Sequence, residues 1–211
     1  DQSRPSLFDS DERRPFPFDV EVRAVAGRID AQGREIEPVI PIDVASYGAH
    51  SVAVVLVNSH RNPTHERAYA SLFGNQRVVM GHEASPSVGY LERMETALVD
   101  AAFTPVLQQS MESDNIPSSA RAIRSDGGLV PARLLRAPEA VLSGPAGGIL
   151  AVAAVAQQAG FEAAVGLDMG GTSTDICRVD AGELPFREET SRVAGVRIRR
   201  PMFEIETIAA G

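Results

Sequence analysis

Two carboxylates, two glycines and three hydroxyls fall within eight residues of this chain: Asp168, Met169, Gly170, Gly171, Thr172, Ser173, Thr174 and Asp175. That order suits phosphate. Residues without a Cβ let backbone N–H groups come close to an anion, and successive N–H groups form a nest for it. Thr172, Ser173 and Thr174 add hydroxyl donors. A carboxylate such as Asp168 repels phosphate directly, so its use would be to hold the Mg²⁺ that accompanies a nucleotide, or to orient an attacking water. Gly170 and Gly171 can adopt backbone angles that other residues resist. An ordinary hairpin, with Asp and Thr side chains satisfying the turn, uses the same residue types. The complete order Asp-x-Gly-Gly-Thr-x-Thr-Asp, following an apolar strand, favours phosphate.

Strands must hold this turn. Ala163 to Leu167 is a short apolar run, and Ile176 to Val179 resumes one, so residues 166–179 read as a hairpin. Upstream, Val141-Leu142-Ser143-Gly-Pro-Ala-Gly-Gly148 leads into an alanine-rich helix, Ile149 to Ala159, with its stop at Gly160. A helix entered through Gly147 and Gly148 would expose free N–H groups and a positive dipole end, which attract anions. The same small residues would equally let the helix pack close to a neighbour. The segment is not a Walker A loop, lacking Gly-Lys-Ser/Thr, and not a Gly-x-Ser-x-Gly nucleophile elbow. A second acidic, glycine-paired turn, Ser125-Asp126-Gly127-Gly128, follows a strand expected over Ser118 to Ser125. It reads either as a plain turn or as a second wall of the same cleft.

The first half alternates in the α/β manner. Val20 to Ile29 and Glu35 to Ile42 read as two strands around a turn at Asp30-Ala-Gln-Gly33, after a proline-rich arm over residues 1–19. His50 to Val57 is an apolar, β-branched strand of the buried parallel kind. Asn62 as N-cap and Pro63 in the first turn open a helix that ends near Gly74, and Arg77 to Met80 is the next strand. Tyr90 to Met111 has helical spacing, with Pro105 expected to kink or break it. Glu183 to Glu189, Ala194 to Arg199 and Phe203 to Ala210 read as three further strands. His60, His65, Glu66, His82 and Glu83 lie after strand ends, where α/β proteins place ligands. Their spacing matches no compact zinc pattern, and they read as polar residues beside an interdomain cleft. Ala84 to Gly89 is linker-like and marks the expected boundary.

Asp168-Met-Gly-Gly-Thr-Ser-Thr-Asp175 resembles the phosphate hairpin of the actin, sugar kinase and heat-shock chaperone ATPase superfamily. Together with Ser125-Asp-Gly-Gly128, Leu142-Ser-Gly-Pro-Ala-Gly-Gly148 and Arg200-Pro-Met202, it makes residues 50–211 similar to the hydantoinase A / 5-oxoprolinase family. Asn62-Pro-Thr-His-Glu66 and His82-Glu83 fit that family, whereas Asn58-Ser-His-Arg61 departs from it. The resemblance implies an α/β fold of actin-like ATPase (ribonuclease H-like) lobes, with mixed sheets flanked by helices, present here as an incomplete copy of the two-lobe form. Residues 1–86 would end an N-terminal hydantoinase/oxoprolinase lobe and 87–211 would begin the ATPase lobe. It implies ATP and Mg²⁺ as cofactors and a longer enzyme that opens a cyclic amide, a hydantoin or 5-oxoproline, by phosphorylating the amide oxygen. Gly170, Gly171 and Thr172 would hold phosphate, Asp168 would hold the metal or a water, and Thr174 and Asp175 would brace the turn. Ser173, Gly147, Gly148, Asp126 and Gly127 would complete the nucleotide's surroundings. The partners implied are the rest of the longer chain and a second subunit. An ATP-dependent acetone or acetophenone carboxylase subunit, and a non-catalytic interaction module on the same fold, are the alternatives.

Composition narrows the classes. The chain has 211 residues, 44% of them hydrophobic, enough for one large domain or two small ones. A net charge of −8 disfavours a nucleic-acid partner, and 5% aromatics with no Trp disfavour base stacking. No apolar run nears the ~20 residues of a membrane span. The single cysteine, Cys177, excludes an internal disulfide and fits a reducing cytoplasm.

Overall fold

The computed structural model describes residues 19–44, 51–180, 183–184, 186–187 and 190–209. The proline-rich arm of residues 1–18, His50 and the last two residues lie outside them. The elements in order are β1 (Arg28–Ile29), β2 (Glu35–Glu37), β3 (Ser51–Val54), α1 (Thr64–Ser71), β4 (Arg77–Met80), α2 (Gly81–Ala84), α3 (Tyr90–Ser113), β5 (Arg121–Ile123), β6 (Leu129–Pro131), α4 (Ala137–Ala140), α5 (Ser143–Ala159), β7 (Ala163–Met169), β8 (Thr174–Asp180), β9 (Phe186–Arg187), β10 (Ser191–Val193), β11 (Val196–Ile198), β12 (Met202–Phe203) and β13 (Glu206–Ile208). This is an α/β chain of small sheets and helices. It forms two compact units: residues up to Ala102 with Arg192–Arg199, and Phe103–Ser191 with Arg200–Gly211. None of the described helices is long and apolar enough to cross a membrane.

In the first unit β3 and β4 run parallel, Ser51 opposite Arg77 and Val54 opposite Met80. Parallel neighbours need a crossover, and α1 supplies it. Asn62 Oδ1 accepts hydrogen bonds from the Thr64 N–H at 3.0 Å and the Thr64 hydroxyl at 2.6 Å; α1 begins at Thr64 with Pro63 in the cap position, one residue later than its sequence suggests. Val54, Tyr69 and Phe73 form one core and Val79, Ala84, Ala97 and Ala101 another. The expected strand through Val57 stops at Val54, because the chain turns there to bring Leu56 beneath a buried carboxylate. The two N-terminal strands shrink to the short pair β1–β2 around Asp30, which accepts from the N–H groups of Gln32 and Arg34. The strand expected over Ala194 to Arg199 is instead the hairpin β10–β11, turning at Ala194 and Gly195, both at positive φ. Pro105 does not end α3, which runs on to Ser113.

In the second unit α5 begins at Ser143, two turns before Ile149. Proline is tolerated in a first turn, where its missing N–H has no intrahelical partner. Pro145 therefore starts this helix rather than delaying it. Gly160 at φ +76° ends α5, and the Phe161 N–H reaches back to the Ala156 carbonyl. The helix lies on the antiparallel hairpin β7–β8, and β13 extends that sheet in the order β13-β8-β7. Ala146, Ile149, Val179 and Phe203 are its core.

Candidate functional site

The strand–turn–strand expected over 166–179 is present as the ends of β7 and β8. Gly166 is opposite Cys177, Asp168 opposite Asp175 and Met169 opposite Thr174. Residues directly opposite in an antiparallel pair point to the same face. Asp168 and Asp175 therefore stand side by side, on the face that Gly166 and Cys177 share further along. Adjacent like charges of this kind oppose folding unless something offsets them. Asp175 is partly offset: the Thr207 hydroxyl on β13, its register partner, donates to Oδ1 at 2.6 Å. Asp168 is exposed, and among the described residues its carboxylate has no hydrogen-bond or ion-pair partner.

The turn itself is open. Gly170, Gly171 and Thr172 are exposed, Ser173 is half-buried and Thr174 is buried. The Gly170 N–H donates to the Ser173 carbonyl at 2.9 Å and closes the turn. Neither Gly170 nor Gly171 lies in the left-handed region, so the freedom that glycine offers there is not used. A Cβ on Gly171 would meet nothing within 4 Å, and one on Gly170 only the Ser173 carbonyl oxygen at 3.4 Å. The fold does not require glycine at these two positions; what glycine supplies is bare backbone at an exposed tip.

Helix α5 forms the wall beside the hairpin. A Cβ on Gly166 would come within 2.5 Å of the Val152 side chain, so the helix and strand nearly touch there. Since β7 returns antiparallel along α5, the hairpin turn lies toward the helix start. Four and eight residues before Val152 on the same face are Gly148 and Gly144, and a Cβ on either would meet nothing within 4 Å. Gly147 and Gly148 thus sit inside the helix, in its second turn, where their N–H groups serve the helix itself. They are not its entry, and their contribution is space. The start of α5 is held by Ser125, which is fully buried. Its hydroxyl accepts from the Leu142 N–H at 3.0 Å and donates to the Glu139 carbonyl at 2.7 Å.

Asp126 and Gly127 serve the β5–β6 turn. The Asp126 carboxylate accepts from the Gly128 N–H at 2.8 Å and pairs with Arg124 at 2.7 Å. Gly127 has φ +79°, and a Cβ there would come within 2.7 Å of the Phe203 ring. Both residues hold in place the loop whose Ser125 anchors α5. Sequence reasoning missed Ser125 as the anchor and Thr207 as the partner of Asp175. Thr207 lies 32 residues from its partner, and only the register of a third strand could have pointed to it.

The donor set at the hairpin fits a nucleotide phosphate with Mg²⁺: hard oxygens only, two carboxylates on one face, and an open glycine tip. Among the described residues no three His, Cys, Asp or Glu side chains gather into a metal shell. An Mg²⁺ ion here would draw its other ligands from phosphate and water, as this ion usually does. The histidines that invited a metal reading separate. His65 Nε2 meets Glu35 at 2.9 Å, His60 Nδ1 lies 3.5 Å from the Arg93 guanidinium, and His82 Nδ1 meets Glu66 at 2.6 Å.

An acidic glycine hairpin laid against a helix in an α/β lobe is the arrangement of the ATPase class implied by the sequence resemblance. The profile of the Hydantoinase/oxoprolinase family matches residues 93–211, more than half of the chain, and the chain belongs to that family. It is 33% identical to the 5-oxoprolinase of Saccharomyces cerevisiae over 78% of its length, and 33% identical to the caprolactamase subunit alpha of Pseudomonas jessenii over 90%. It spans 14% of the first relative's length and 30% of the second's. Among solved structures, the ATP-dependent caprolactamase of Pseudomonas jessenii aligns with 96% of the chain and 33% of its own, at a TM-score of 0.73 and 28% identity. A nucleotide-free acetone carboxylase aligns with 90% of the chain and 30% of its own, at a TM-score of 0.75 and 19% identity, which speaks to the fold.

Proposed function

We propose that the chain supplies a phosphate-binding hairpin to an ATP-dependent cyclic amide hydrolase. The observation that carries this reading is the pair Asp168 and Asp175, side by side on one face at an exposed glycine tip whose glycines no backbone strain explains. Relatives named as a 5-oxoprolinase and a caprolactamase subunit support the substrate class, a five-membered or larger lactam ring. ATP with Mg²⁺ would supply a phosphoryl group to the amide oxygen, turning an unreactive carbonyl carbon into one that water attacks. Gly170, Gly171 and Thr172 offer bare backbone and a hydroxyl to the phosphate oxygens. Asp168 holds the cation or orients the water, and Ser173 adds a hydroxyl at the turn. Thr174, buried, and Asp175, tied to Thr207, brace the hairpin. Gly147 and Gly148 leave room along α5, and Asp126 and Gly127 hold the turn that fixes the start of that helix. A second subunit would complete the enzyme, as the name of the caprolactamase relative suggests for its own assembly.

The test is phosphate release by the protein carrying this chain, with Mg-ATP and, separately, 5-oxoproline, caprolactam, a hydantoin, or acetone with bicarbonate. Stimulation by a cyclic amide is the expected result. Stimulation only by ketone with bicarbonate moves the protein to the carboxylases, and no stimulation in the presence of its partner subunit leaves a non-catalytic module.

A further inference from the structure

The first unit contains a buried polar cluster that the hairpin chemistry does not use. Glu66, on α1, is fully buried. Its Oε1 accepts from the Leu56 N–H at 2.8 Å, and its Oε2 from the His82 N–H at 2.9 Å. Leu56 lies two residues past the end of β3 and His82 two past the end of β4, and those ends, Val54 and Met80, are register partners. One carboxylate thus ties together the loop after β3 and the helix α2 after β4, at the carboxyl ends of adjacent parallel strands, the place where open α/β sheets bind ligands. Arg93, also fully buried, holds the loop after β3 to the segment after α2. It donates to the carbonyls of Leu56 at 2.9 Å and of Ser87 and Val88 at 2.7 Å.

The His82 ring takes part unevenly. Nδ1 is 2.6 Å from Glu66 Oε2. A carboxylate already accepting two backbone N–H groups is an acceptor for the ring as well, so Nδ1 carries its hydrogen. In the neutral ring Nε2 is then a lone pair. Nε2 is buried and has no hydrogen-bond partner, although the side chain as a whole keeps 13% of its surface. The loop after β3 carries a second such atom, Ser59 Oγ, also buried and without a partner. Buried polar atoms are nearly always satisfied, and an exception points to a ligand, an ordered water or a chemical role. The charged and titratable groups around the ring are Glu66 at Nδ1, Glu83 at 3.9 Å from Nε2, and, through Glu66, Arg93 and Tyr90. His60 faces Arg93.

We propose that Glu66 and His82 form a proton-accepting dyad at the carboxyl ends of β3 and β4, in which His82 Nε2 takes a hydrogen bond, and in reaction the proton, from the N–H of a small neutral amide. The Nε2 lone pair forms the new N–H bond as the ligand's N–H bond breaks, and the electron pair of the broken bond stays on the ligand nitrogen. The Glu66 carboxylate stabilises the imidazolium that results and is the positioning residue. A carboxylate behind a histidine fixes its tautomer and makes the far nitrogen more basic. The choice of a lactam as ligand rests on the cyclic-amide reading above; the dyad geometry does not.

The experiment is nuclear magnetic resonance on the protein labelled with ¹⁵N-histidine, with His82→Gln to assign the ring. The probes are 2-pyrrolidone, which has the lactam N–H, and N-methyl-2-pyrrolidone, which lacks it. The expected result is an Nδ1–H tautomer whose Nε2 resonance moves upfield with 2-pyrrolidone and stays in place with the N-methyl compound. Glu66→Gln, the same shape without the charge, reduces that movement at least twofold in a protein that still shows its wild-type circular dichroism. An Nε2–H tautomer, no movement at saturating 2-pyrrolidone, or equal movement with both lactams overturns the dyad. If lactams stimulate phosphate release while Nε2 stays still, the dyad falls and the cyclic-amide reading stands. If Nε2 responds selectively but no cyclic amide stimulates release, the dyad stands and that reading falls.

Discussion

The molecule treats its carboxylates in two opposite ways. Glu66 is enclosed, with three donors on its two oxygens and the Arg93 guanidinium close enough to feel its charge. Asp168 stands at an exposed tip beside another carboxylate, with no partner among the described residues. Burying a charge is tolerable only when it is paired and hydrogen-bonded, so Glu66 is first of all something the fold depends on. An exposed carboxylate costs little to keep and stabilises little, which leaves Asp168 free for a ligand. The difference separates loss of fold from loss of activity, and substitutions at the two places should fail differently.

The largest effect is expected at the enclosed carboxylate. Glu66→Ala leaves the N–H groups of Leu56 and His82 without their acceptor in a buried place, and each buried donor left unsatisfied costs about 1–3 kcal/mol. Urea unfolding monitored by circular dichroism measures it; a loss below about 1 kcal/mol would mean that water reaches the cluster and that the two carboxylates are not opposites after all. Next comes Gly127→Ala in the second unit, where the added methyl meets the Phe203 ring at a left-handed backbone position. Overpacking of this kind costs about 1–3 kcal/mol. The thermal midpoint should drop, and phosphate release per folded molecule should hold.

At the exposed tip the expectation reverses. Asp168→Ala should leave the unfolding midpoint within about 0.5 kcal/mol of wild type. It should lower phosphate release by the protein carrying this chain at least tenfold, about 1.4 kcal/mol of barrier. Normal turnover by this variant would remove Asp168 from the mechanism. Gly171→Ala sharpens the same point. A methyl there touches nothing and strains nothing, so stability should not move, while release should fall about threefold or more, roughly 0.7 kcal/mol, because the methyl occupies the space of an approaching phosphate. A variant of unchanged activity would mean that the glycine tip is not where phosphate sits.

What sequence could tell about each region follows from the range of the interactions. The hairpin is a local object: an apolar run, a glycine pair and another apolar run determine β7, the turn and β8, and its position was legible to within a residue or two. Gly160 as the stop of α5 was legible for the same reason, and the start of α1 to within a residue, since caps act within four residues. The alanine-rich run points to a helix from Ile149, but the start of α5 at Ser143 is decided by the Ser125 anchor on Leu142 and a proline in the first turn. At Gly170 and Gly171 it is the bare backbone, not a left-handed conformation, that the structure retains of the sequence reading. The partnership of Glu66, His82 and Arg93 joins three elements by register and burial, and Thr207 reaches Asp175 only through a third strand. No local pattern encodes either.

The smallest expected effect lies at the edge of the enclosed cluster, where His60 faces Arg93. Burial, then the positive charges of Arg93 and Arg61, hold the His60 imidazole below its ordinary value of 6.5. The sign follows from proton linkage. Between the lowered folded value and 6.5 the unfolded chain binds more protons than the folded one, so stability rises with pH through that window and is level above it. Acidifying from pH 7.5 to 5 should therefore weaken the fold, and His60→Gln should remove part of that slope while leaving the plateau near neutral pH almost unchanged. Urea midpoints at a series of pH values measure it. Parallel curves for the two proteins would show that burial and the neighbouring arginines do not hold the His60 imidazole down in the folded chain.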